Sequence, residues 1–365
     1  MIAEQITDIE KRKKISNLLI EIEPDNILFR EKQVEEINES FDRFNSGDIP
    51  KNLFIHGVPG SGKTTSIRII KEKRQNNWVY ISGEQCNTAH GVLRGITDLT
   101  FNTRERLLSE AIIKFTKNPL GIIIDELNKM KRVEELRWLF NDLNTLYRET
   151  KKKIPIIVIT NKTALETERF IPKDALDTLQ LNKIEFPSYD AIEITGILED
   201  RLKLIKEKYN LEINIPGGFL NLLSSLITKD YDGSLRTAFY VLSESIRSNE
   251  FTRENIEKIL KKIQGEEFDQ CFSNLPPQEK KFLASLICIS NGENKPVYIS
   301  NIIEFIPNLF PQRISQIINN LEAQGYIRKE IPEMKGRGRH RYIKFTREDI
   351  FQKINKLTED ILPLN

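Results

Sequence analysis

The sequence has few cysteines and histidines and no long apolar run, and each shortage excludes a class of protein. Its 3 cysteines and 3 histidines are scattered, which predicts neither a disulfide framework nor a zinc site with closely spaced ligands. No apolar stretch approaches the roughly 20 residues of a membrane-spanning helix, and the N-terminal segment mixes acidic and basic residues. We therefore expect a cytoplasmic protein with no membrane partner.

An excess of charge of one sign is also missing. Charged residues make up 30% of the chain, yet the formal net charge is only +2, so any basic surface for nucleic acid has to be local. The 365 residues are too many for one ordinary hydrophobic core. The length therefore predicts two or three domains.

A glycine-rich segment, KNLFIHGVPGSGKTT at residues 51–65, contains a short apolar run and predicts a phosphate site. The glycines let the backbone turn tightly and present its N–H groups to a β-phosphate at the start of a helix. Lys63 is expected to reach the β- and γ-phosphates, and the Thr64 hydroxyl to ligate Mg²⁺. The alternative is a glycine-rich turn that binds nothing. The residues predicted to bind the nucleotide here are Val58, Pro59, Gly60, Ser61, Gly62, Lys63, Thr64 and Thr65.

A second apolar run, GIIIDEL at residues 121–127, contains two carboxylates after its isoleucines. A strand this apolar is typical of the interior of a parallel sheet, where ligands bind beyond the carboxyl ends of the strands. Asp125 is therefore expected to share Mg²⁺ with Thr64, and Glu126 to orient and deprotonate an attacking water. Asn161 follows a further run, IIVIT, and could bind the γ-phosphate or the water; the alternative is an ordinary turn residue.

Short apolar runs alternate with helical patterns in the first half of the chain, which predicts a doubly wound α/β core with helices on both faces. The runs occupy residues 53–55, 78–81, 121–124, 156–160 and 184–186. After Pro187 the apolar spacing is helical only. One of these helices begins at GSLR, residues 233–236, where Ser234 could simply cap the helix. The functional interpretation is that Arg236 reaches the γ-phosphate from a helical lid.

From about residue 275 the pattern changes to three short helices and a hairpin, which predicts a winged helix-turn-helix. In the third helix, isoleucines and a leucine at helical spacing define a buried face. Arg313, Gln316 and Asn320 fall together on the opposite face. Side chains of these types read base edges in the major groove, so we expect them to contact DNA.

The hairpin is strongly basic. Between residues 335 and 347 there are six Lys or Arg residues and no acid. We expect Lys335, Arg337 and Arg339 to contact the phosphate backbone of DNA, or its minor groove. The alternatives are a solvated loop and a winged helix that contacts only protein.

Taken in order, these motifs resemble the AAA+ ATPases and, more narrowly, the Orc1/Cdc6 replication initiators of archaea. GVPGSGKTT resembles the family's Walker A motif, IIIDE its Walker B, ITN its sensor 1 and GSLR its sensor 2. FREKQ, from residue 29, resembles the motif that borders the adenine pocket, which implies that Phe29 and Arg30 bind the nucleotide. FPSYDAIEITGILEDR, from residue 186, resembles the start of the family's lid and implies the same for Tyr189 and Arg201.

The resemblance implies three domains: an AAA+ P-loop core of the α/β class (1–188), a helical lid (189–265) and a C-terminal winged helix-turn-helix that binds DNA (266–365). It also implies ATPase activity, with ATP or ADP and Mg²⁺ as cofactors. The implied partners are double-stranded origin DNA and the replicative helicase or other initiator subunits. The protein would act at the nucleoid, as a monomer or a DNA-dependent oligomer.

One departure from the family's pattern bears on hydrolysis. Lys173 stands where the family usually has an arginine. An arginine finger depends on a planar fork of donors that lysine lacks, so we expect ATP to act as a switch that is hydrolysed slowly.

Two other functions fit the same motifs. The first is a DNA-bound AAA+ regulator of a mobile element or plasmid that recruits a transposase or another partner. The second is a transcriptional regulator in which the nucleotide site is structural.

Overall fold

The structure, a computed structural model, describes residues 8–74, 78–101, 103–130, 132–151, 153–163, 167–169, 171–306, 310–323, 326–330, 342–346 and 348–361. The chain divides into two compact units, the first ending at Ile259 and the second beginning at Leu260. Each unit has a hydrophobic core of its own.

The first unit is built on a five-stranded sheet in which all neighbouring strands are parallel. The order of the strands across the sheet is β2-β3-β4-β1-β5. The strands are β1 (Leu53–Gly57), β2 (Trp78–Ser82), β3 (Gly121–Asp125), β4 (Ile156–Thr160) and β5 (Asn182–Phe186).

Helices flank this sheet and then continue beyond it. The first seven are α1 (Asp8–Glu21), α2 (Glu31–Asn45), α3 (Lys63–Lys73), α4 (Ala89–Thr97), α5 (Arg104–Lys117), α6 (Val133–Glu149) and α7 (Lys173–Leu179). After β5 come α8 (Ala191–Tyr209), α9 (Phe219–Asp230), α10 (Leu235–Ser248) and α11 (Arg253–Ser273), and the division between the units falls within α11. We call α8 to α10 the helical segment.

Alternation along the strands puts an apolar layer on each face of the sheet. Ile122 and Ile124 of β3 pack with one hydrophobic cluster, whereas Ile123 packs with the other. Helices α4 to α6 contribute to the first cluster, and α2 and α3 to the second. Because side chains alternate between faces along a strand, a strand buried on both sides must be apolar throughout. The predicted α/β core with helices on both faces is confirmed.

The parallel arrangement brings the carboxyl ends of the strands to one edge of the sheet. In the strand register, His56 of β1 lies opposite Thr160 of β4, and Ser82 of β2 lies opposite Asp125 of β3. The residues that follow these strands are those in which the sequence motifs occur. The fold therefore collects the motifs at one place.

Helix α1, which the sequence motifs do not predict, packs against the helical segment. The hydroxyls of Ser16 and Ser243 are buried and lie 2.8 Å apart. The guanidinium of Arg201 donates from Nη1 to the backbone carbonyls of Leu19, at 3.0 Å, and of Ile22. These carbonyls lie at the carboxyl end of the helix, where they lack partners within it and where a cation is favourable. Arg201 thus fixes the end of α1.

The second unit combines helices with a small antiparallel sheet. Its helices after α11 are α12 (Pro277–Ile289), α13 (Ile299–Phe305), α14 (Pro311–Ala323) and α15 (Glu348–Ile361). Its strands, β6 (Val297–Tyr298), β7 (Ile327–Glu330) and β8 (Tyr342–Phe345), are arranged in the order β6-β8-β7. Three helices followed by a hairpin form the winged-helix arrangement that the sequence predicts, with β6 and α15 as additions. None of the helices in the described ranges combines the length and apolarity that crossing a bilayer requires.

We predict that Arg201→Ala destabilises the first unit. The side chain is 8% exposed, and its removal leaves two main-chain carbonyls without their donor. Since an unsatisfied buried polar group costs about 1–3 kcal/mol, we expect the free energy of unfolding to fall by about 2–4 kcal/mol. Urea unfolding followed by tryptophan fluorescence measures this, because Trp78 and Trp138, the only two tryptophans of the chain, both lie in the first unit.

The matched control is Lys203→Ala, which removes a neighbouring cation of α8 whose side chain is 72% exposed. We expect this change to stay within about 0.5 kcal/mol of the wild type. Equal unfolding curves for the two variants would contradict the role that we give Arg201.

Candidate functional site

A cavity of about 720 Å³ lies at the carboxyl edge of the parallel sheet in the first unit. Twelve of the residues predicted from sequence to act on a nucleotide line it. They are Pro59, Gly60, Gly62, Lys63, Thr64, Thr65, Asp125, Glu126, Asn161, Tyr189, Arg201 and Arg236. Phe29, Arg30, Val58 and Ser61 were predicted with them but are not in the lining.

The glycine-rich loop packs closely against the helical segment and against the residues that precede that segment. Gly60 and Gly62 have φ of +79° and +94°, in the left-handed region that favours glycine. A β-carbon on Gly60 would come within 2.8 Å of the Ser234 hydroxyl oxygen, and one on Gly62 within 2.9 Å of the Tyr189 hydroxyl oxygen. No other residue type fits these two positions without a shift. The loop and the GSLR motif are therefore in direct contact.

Lys63 is buried at the start of α3, and its ammonium group lies among oxygens of the loop. Nζ donates to the carbonyls of Gly57 and Val58, both at 2.7 Å. Burial lowers the pKa of Lys63 to about 8; the nearby Asp125 carboxylate opposes this shift and the Arg236 guanidinium adds to it. A partly desolvated cation beside a second cation is a favourable place for phosphate.

Asp125, at the end of β3, is the most fully bonded carboxylate of the site and is 2% exposed. Its Oδ2 accepts hydrogen bonds from the hydroxyls of Thr64 and Tyr80, both at 2.7 Å. Its Oδ1 accepts from the backbone N–H of Glu126, also at 2.7 Å. Burial and the bond to Asp125 raise the pKa of Tyr80, so its hydroxyl stays protonated and donates.

The Thr64 and Asp125 side chains fit the requirements of Mg²⁺. Both present oxygen, which is the donor that this ion prefers, and the ion usually takes only one or two protein carboxylates together with substrate phosphates. Within the described ranges there is no cluster of three or more His, Cys, Asp or Glu side chains that could hold a metal by itself. The donor set suits a magnesium ion that arrives with a nucleotide.

Glu126 adopts a left-handed backbone conformation, with φ of +56°, which is uncommon for a residue with a side chain. Its Oε2 accepts a hydrogen bond from the Ser82 hydroxyl at 3.2 Å. Asn161 directly follows β4, the strand that neighbours β3 on the side opposite β2. Its backbone N–H donates to the side-chain oxygen of Asn128 at 3.2 Å. The structure thus brings Glu126 and Asn161 to one cavity, as the sequence predicts.

Tyr80 and Ser82 of β2 were not predicted from the sequence. They bond to the two carboxylates, one each. The sequence does contain a pattern that could have identified them. Two hydroxyl-bearing residues stand at alternate positions at the end of a strand, so both side chains lie on the same face of the sheet. Nothing in the sequence says that β2 lies next to β3, because the two are separated by α4 and α5.

Arg30 and Tyr189 form a buried pair behind the loop. Arg30 is 2% exposed and donates to the backbone carbonyls of Ser61 at 3.3 Å, and of Phe29 and Pro187 at 2.6 Å. Its guanidinium carbon lies 3.6 Å from the centre of the Tyr189 ring. These contacts give Arg30 a supporting place behind the loop, and its direct contact with a nucleotide stays a prediction.

Residues 22–28, in the connection between α1 and α2, contribute to the cavity lining. Asp25 links this connecting segment to a helix that packs on the sheet and to the helical segment. Its backbone carbonyl accepts a hydrogen bond from Lys73 of α3 at 2.7 Å, and its Oδ1 accepts one from Lys208 of α8 at 2.9 Å. Sequence reasoning did not identify this segment. Its cavity-lining residues are Ile22, Glu23, Pro24, Asn26, Ile27 and Leu28.

In the second unit, the predicted DNA-reading residues lie on the exposed face of α14. The buried face of that helix consists of Ile314, Ile317, Ile318 and Leu321, as their spacing predicts.

The three polar residues of the exposed face are engaged by neighbours. Arg313 donates to Gln278 at 3.2 Å and to Gln316 at 3.1 Å, and Asn320 donates to the buried Glu279 at 3.0 Å. The Asn320 amide keeps a second N–H and its oxygen for contact with a base. Lys335, Arg337 and Arg339 lie outside the described residues.

Comparison with known proteins agrees with these features. Residues 53–179 match the model of the ATPase family associated with various cellular activities (AAA). The chain is 25% identical to the ORC1-type DNA replication protein 1 of Sulfurisphaera tokodaii, over 85% of this chain and 84% of that protein. It is 24% identical to the ORC1-type DNA replication protein 1 of Archaeoglobus fulgidus, over 89% of this chain and 86% of that protein.

Among solved structures, the fold is similar to that of the Aeropyrum pernix ORC1 protein in complex with DNA. The TM-score is 0.75 at 17% sequence identity, and the match covers 95% of this chain and 96% of that chain. This likeness concerns the fold. Residues 53–179 therefore match the AAA ATPase family, and the chain is similar, over most of its length, to the ORC1-type DNA replication proteins of archaea, as its motifs predict.

Proposed function

We propose that the protein is an ATP-dependent replication initiator that binds double-stranded origin DNA and helps to recruit the replicative helicase or other initiator subunits. One observation carries this proposal: the glycine-rich loop with its lysine, two carboxylates and an arginine line one cavity, in a chain whose second unit has the helices and strands of a winged helix. The relatives support it by name, since they are ORC1-type DNA replication proteins. The protein would act in the cytoplasm, in association with the nucleoid.

For nucleotide binding, the loop of residues 57–62 would surround the phosphates with backbone N–H groups, and Lys63 would exchange its bonds to loop carbonyls for phosphate oxygens. Thr64 and Asp125 would hold Mg²⁺, which when bound supplies positive charge to the phosphate oxygens. The connecting segment would cover the remainder of the nucleotide, because its apolar residues line the same cavity. ATP and ADP are thus the proposed ligands.

For hydrolysis, Glu126 would accept the proton of the attacking water at its carboxylate. Asn161 would orient that water or the γ-phosphate from the end of β4. Arg236, at the first turn of α10, would compensate the charge that develops on the γ-phosphate. Because Lys173 stands where the family usually has an arginine, it would not supply the planar fork of an arginine finger to a neighbouring subunit, and we expect turnover to be slow.

For switching, the direct contact of the loop with Ser234 and Tyr189 would make the helical segment respond to the nucleotide. A phosphate that reorders the loop must also move or lock the groups packed on it, because packed interiors are not freely deformable. ATP would therefore act mainly as a conformational signal.

For DNA, the exposed face of α14 would enter the major groove and the basic hairpin would contact the backbone or the minor groove. The ORC1 protein of Aeropyrum pernix, whose structure was solved in complex with DNA, supports this proposal through its fold.

We predict that Lys63→Ala abolishes tight nucleotide binding, whereas Glu126→Gln binds ATP normally and loses turnover by about a hundredfold or more, the scale of removing a positioned base. Calorimetric titration with ATP and a steady-state ATPase assay measure the two effects. The control is Glu134→Gln, which removes an exposed carboxylate of α6 outside the cavity lining. If Glu126→Gln hydrolyses ATP as fast as Glu134→Gln does, Glu126 is not the base.

We predict that the two DNA-binding elements fail differently. Arg313→Ala should cost about 1–3 kcal/mol on a preferred duplex and much less on a scrambled one, since it removes a base contact. Arg337→Ala or Arg339→Ala should weaken binding to both duplexes and reduce the salt slope by about one counterion. Salt titrations on the two duplexes, with Lys203→Ala as the charge control, separate these outcomes. Wing variants that keep the wild-type slope and affinity would make the basic run a solvated loop.

The function as a whole is tested by footprinting across the genome of the source organism. We expect protection at replication origins. Protection confined to promoters or to the ends of mobile elements would contradict the proposal.

A further inference from the structure

Strand β2 contributes a side chain to the carboxylate site although it contains none of the nucleotide-binding motifs. Tyr80 lies opposite Ile123 in the register of β2 and β3, two residues before Asp125. Its phenol reaches along the strand, and its hydroxyl lies 2.7 Å from Asp125 Oδ2. The donor therefore comes from the edge strand of the sheet, on the side away from the glycine-rich loop.

The bonds of Asp125 show why this donor matters. Oδ1 is fixed by the backbone N–H of the next residue, and Oδ2 is shared between two hydroxyls, those of Thr64 and Tyr80. Thr64 has a second task, because its oxygen is also the proposed ligand of Mg²⁺. Tyr80 has no such task. Its ring is 38% exposed and lies 5.7 Å from the Lys71 ammonium, and its hydroxyl donates to Asp125.

A charge-assisted hydrogen bond to a buried carboxylate is short, strong and directional. Residues that orient a metal ligand without touching the metal commonly change metal affinity by about 10–100-fold when they are removed. The same reasoning applies to Asp125, whose rotamer decides which oxygen faces the Thr64 hydroxyl.

We propose that Tyr80 is a positioning residue for the magnesium site: its hydroxyl orients the Asp125 carboxylate so that Asp125 and Thr64 present their oxygens to one ion. This inference rests on the proposed nucleotide site. It adds a residue from outside the motifs and a specific consequence, which is that the hydroxyl controls the affinity for the metal and not the affinity for the nucleotide.

The test is Tyr80→Phe in the full chain, which removes one oxygen and keeps the ring. Binding of a fluorescent ATP analogue is measured in EDTA and at a series of Mg²⁺ concentrations. We expect wild-type affinity in EDTA, because the loop and the connecting segment are unchanged. We also expect the Mg²⁺ concentration at half-effect to rise about 10–100-fold. The control is Tyr209→Phe, which removes the hydroxyl of an exposed tyrosine outside the cavity lining and should leave both quantities unchanged.

Two results would overturn the inference. The first is an Mg²⁺ dependence of Tyr80→Phe equal to that of the wild type. The second is weaker binding in EDTA together with a lower thermal midpoint of unfolding without nucleotide, which would make the hydroxyl a general stabiliser of the fold. A wild-type protein that does not bind the analogue would refute the proposed nucleotide site itself. A wild-type protein that binds it without any effect of Mg²⁺ would refute the proposed magnesium site, and with it this inference, before any variant is compared.

Discussion

The arrangement of the nucleotide cavity depends on the buried guanidinium of Arg30. A guanidinium that is 2% exposed must find acceptors, since a buried charge without partners is costly. Arg30 finds them in the backbone carbonyls of Ser61 and Pro187, one in the glycine-rich loop and one just before the helical segment, and it covers the ring of Tyr189. These contacts fix the distance between the loop and the start of the helical segment. The groups of the loop and of the helical segment that line the cavity are therefore held at a separation that depends on this distance.

Once the loop is fixed in this way, the glycines become contact points as well as turns. Gly60 lies against Ser234 and Gly62 against Tyr189, at separations that leave no room for a side chain. A ligand that settles on the loop N–H groups therefore acts on the helical segment directly. The connecting segment adds a second link, because Asp25 is bonded to α3 and α8 at once. In the proposed function, nucleotide binding and the position of the helical segment would be coupled by these contacts, with no long pathway needed.

The carboxylates of the cavity are held by the edge strand β2, on the side of β3 opposite the glycine-rich loop. Edge strand β2 supplies a hydroxyl to each of the two carboxylates, through Tyr80 and Ser82. Asp125 is held by three hydrogen bonds, and Glu126 is held in a strained backbone conformation at the end of β3. The groups proposed to bind phosphate and the group proposed to activate water thus follow different strands, and the sheet register sets their separation.

The sequence predicts the parallel sheet, the helices around it, the winged-helix arrangement and twelve of the residues that line the cavity, because these depend on local periodicity and on short motifs. It does not predict the partners of Arg30, Arg201 and Asn320, which are set by residues distant along the chain. The sequence marks these three as polar and leaves open whether each faces a ligand or the protein. Tyr80 was missed for the same reason, since its role depends on the neighbour of β2. Helix α1 was missed because its apolar face becomes visible only against the helical segment.

Hydrogen exchange of the full chain, with and without ATP and Mg²⁺, tests the coupling most directly. We expect ATP and Mg²⁺ to slow exchange at the amides of residues 57–64 and at those of residues 234–237, at the start of α10, together. The reason is that the two regions are in contact through Gly60 and Ser234. Protection of the loop with unchanged exchange at the start of α10 would contradict this expectation.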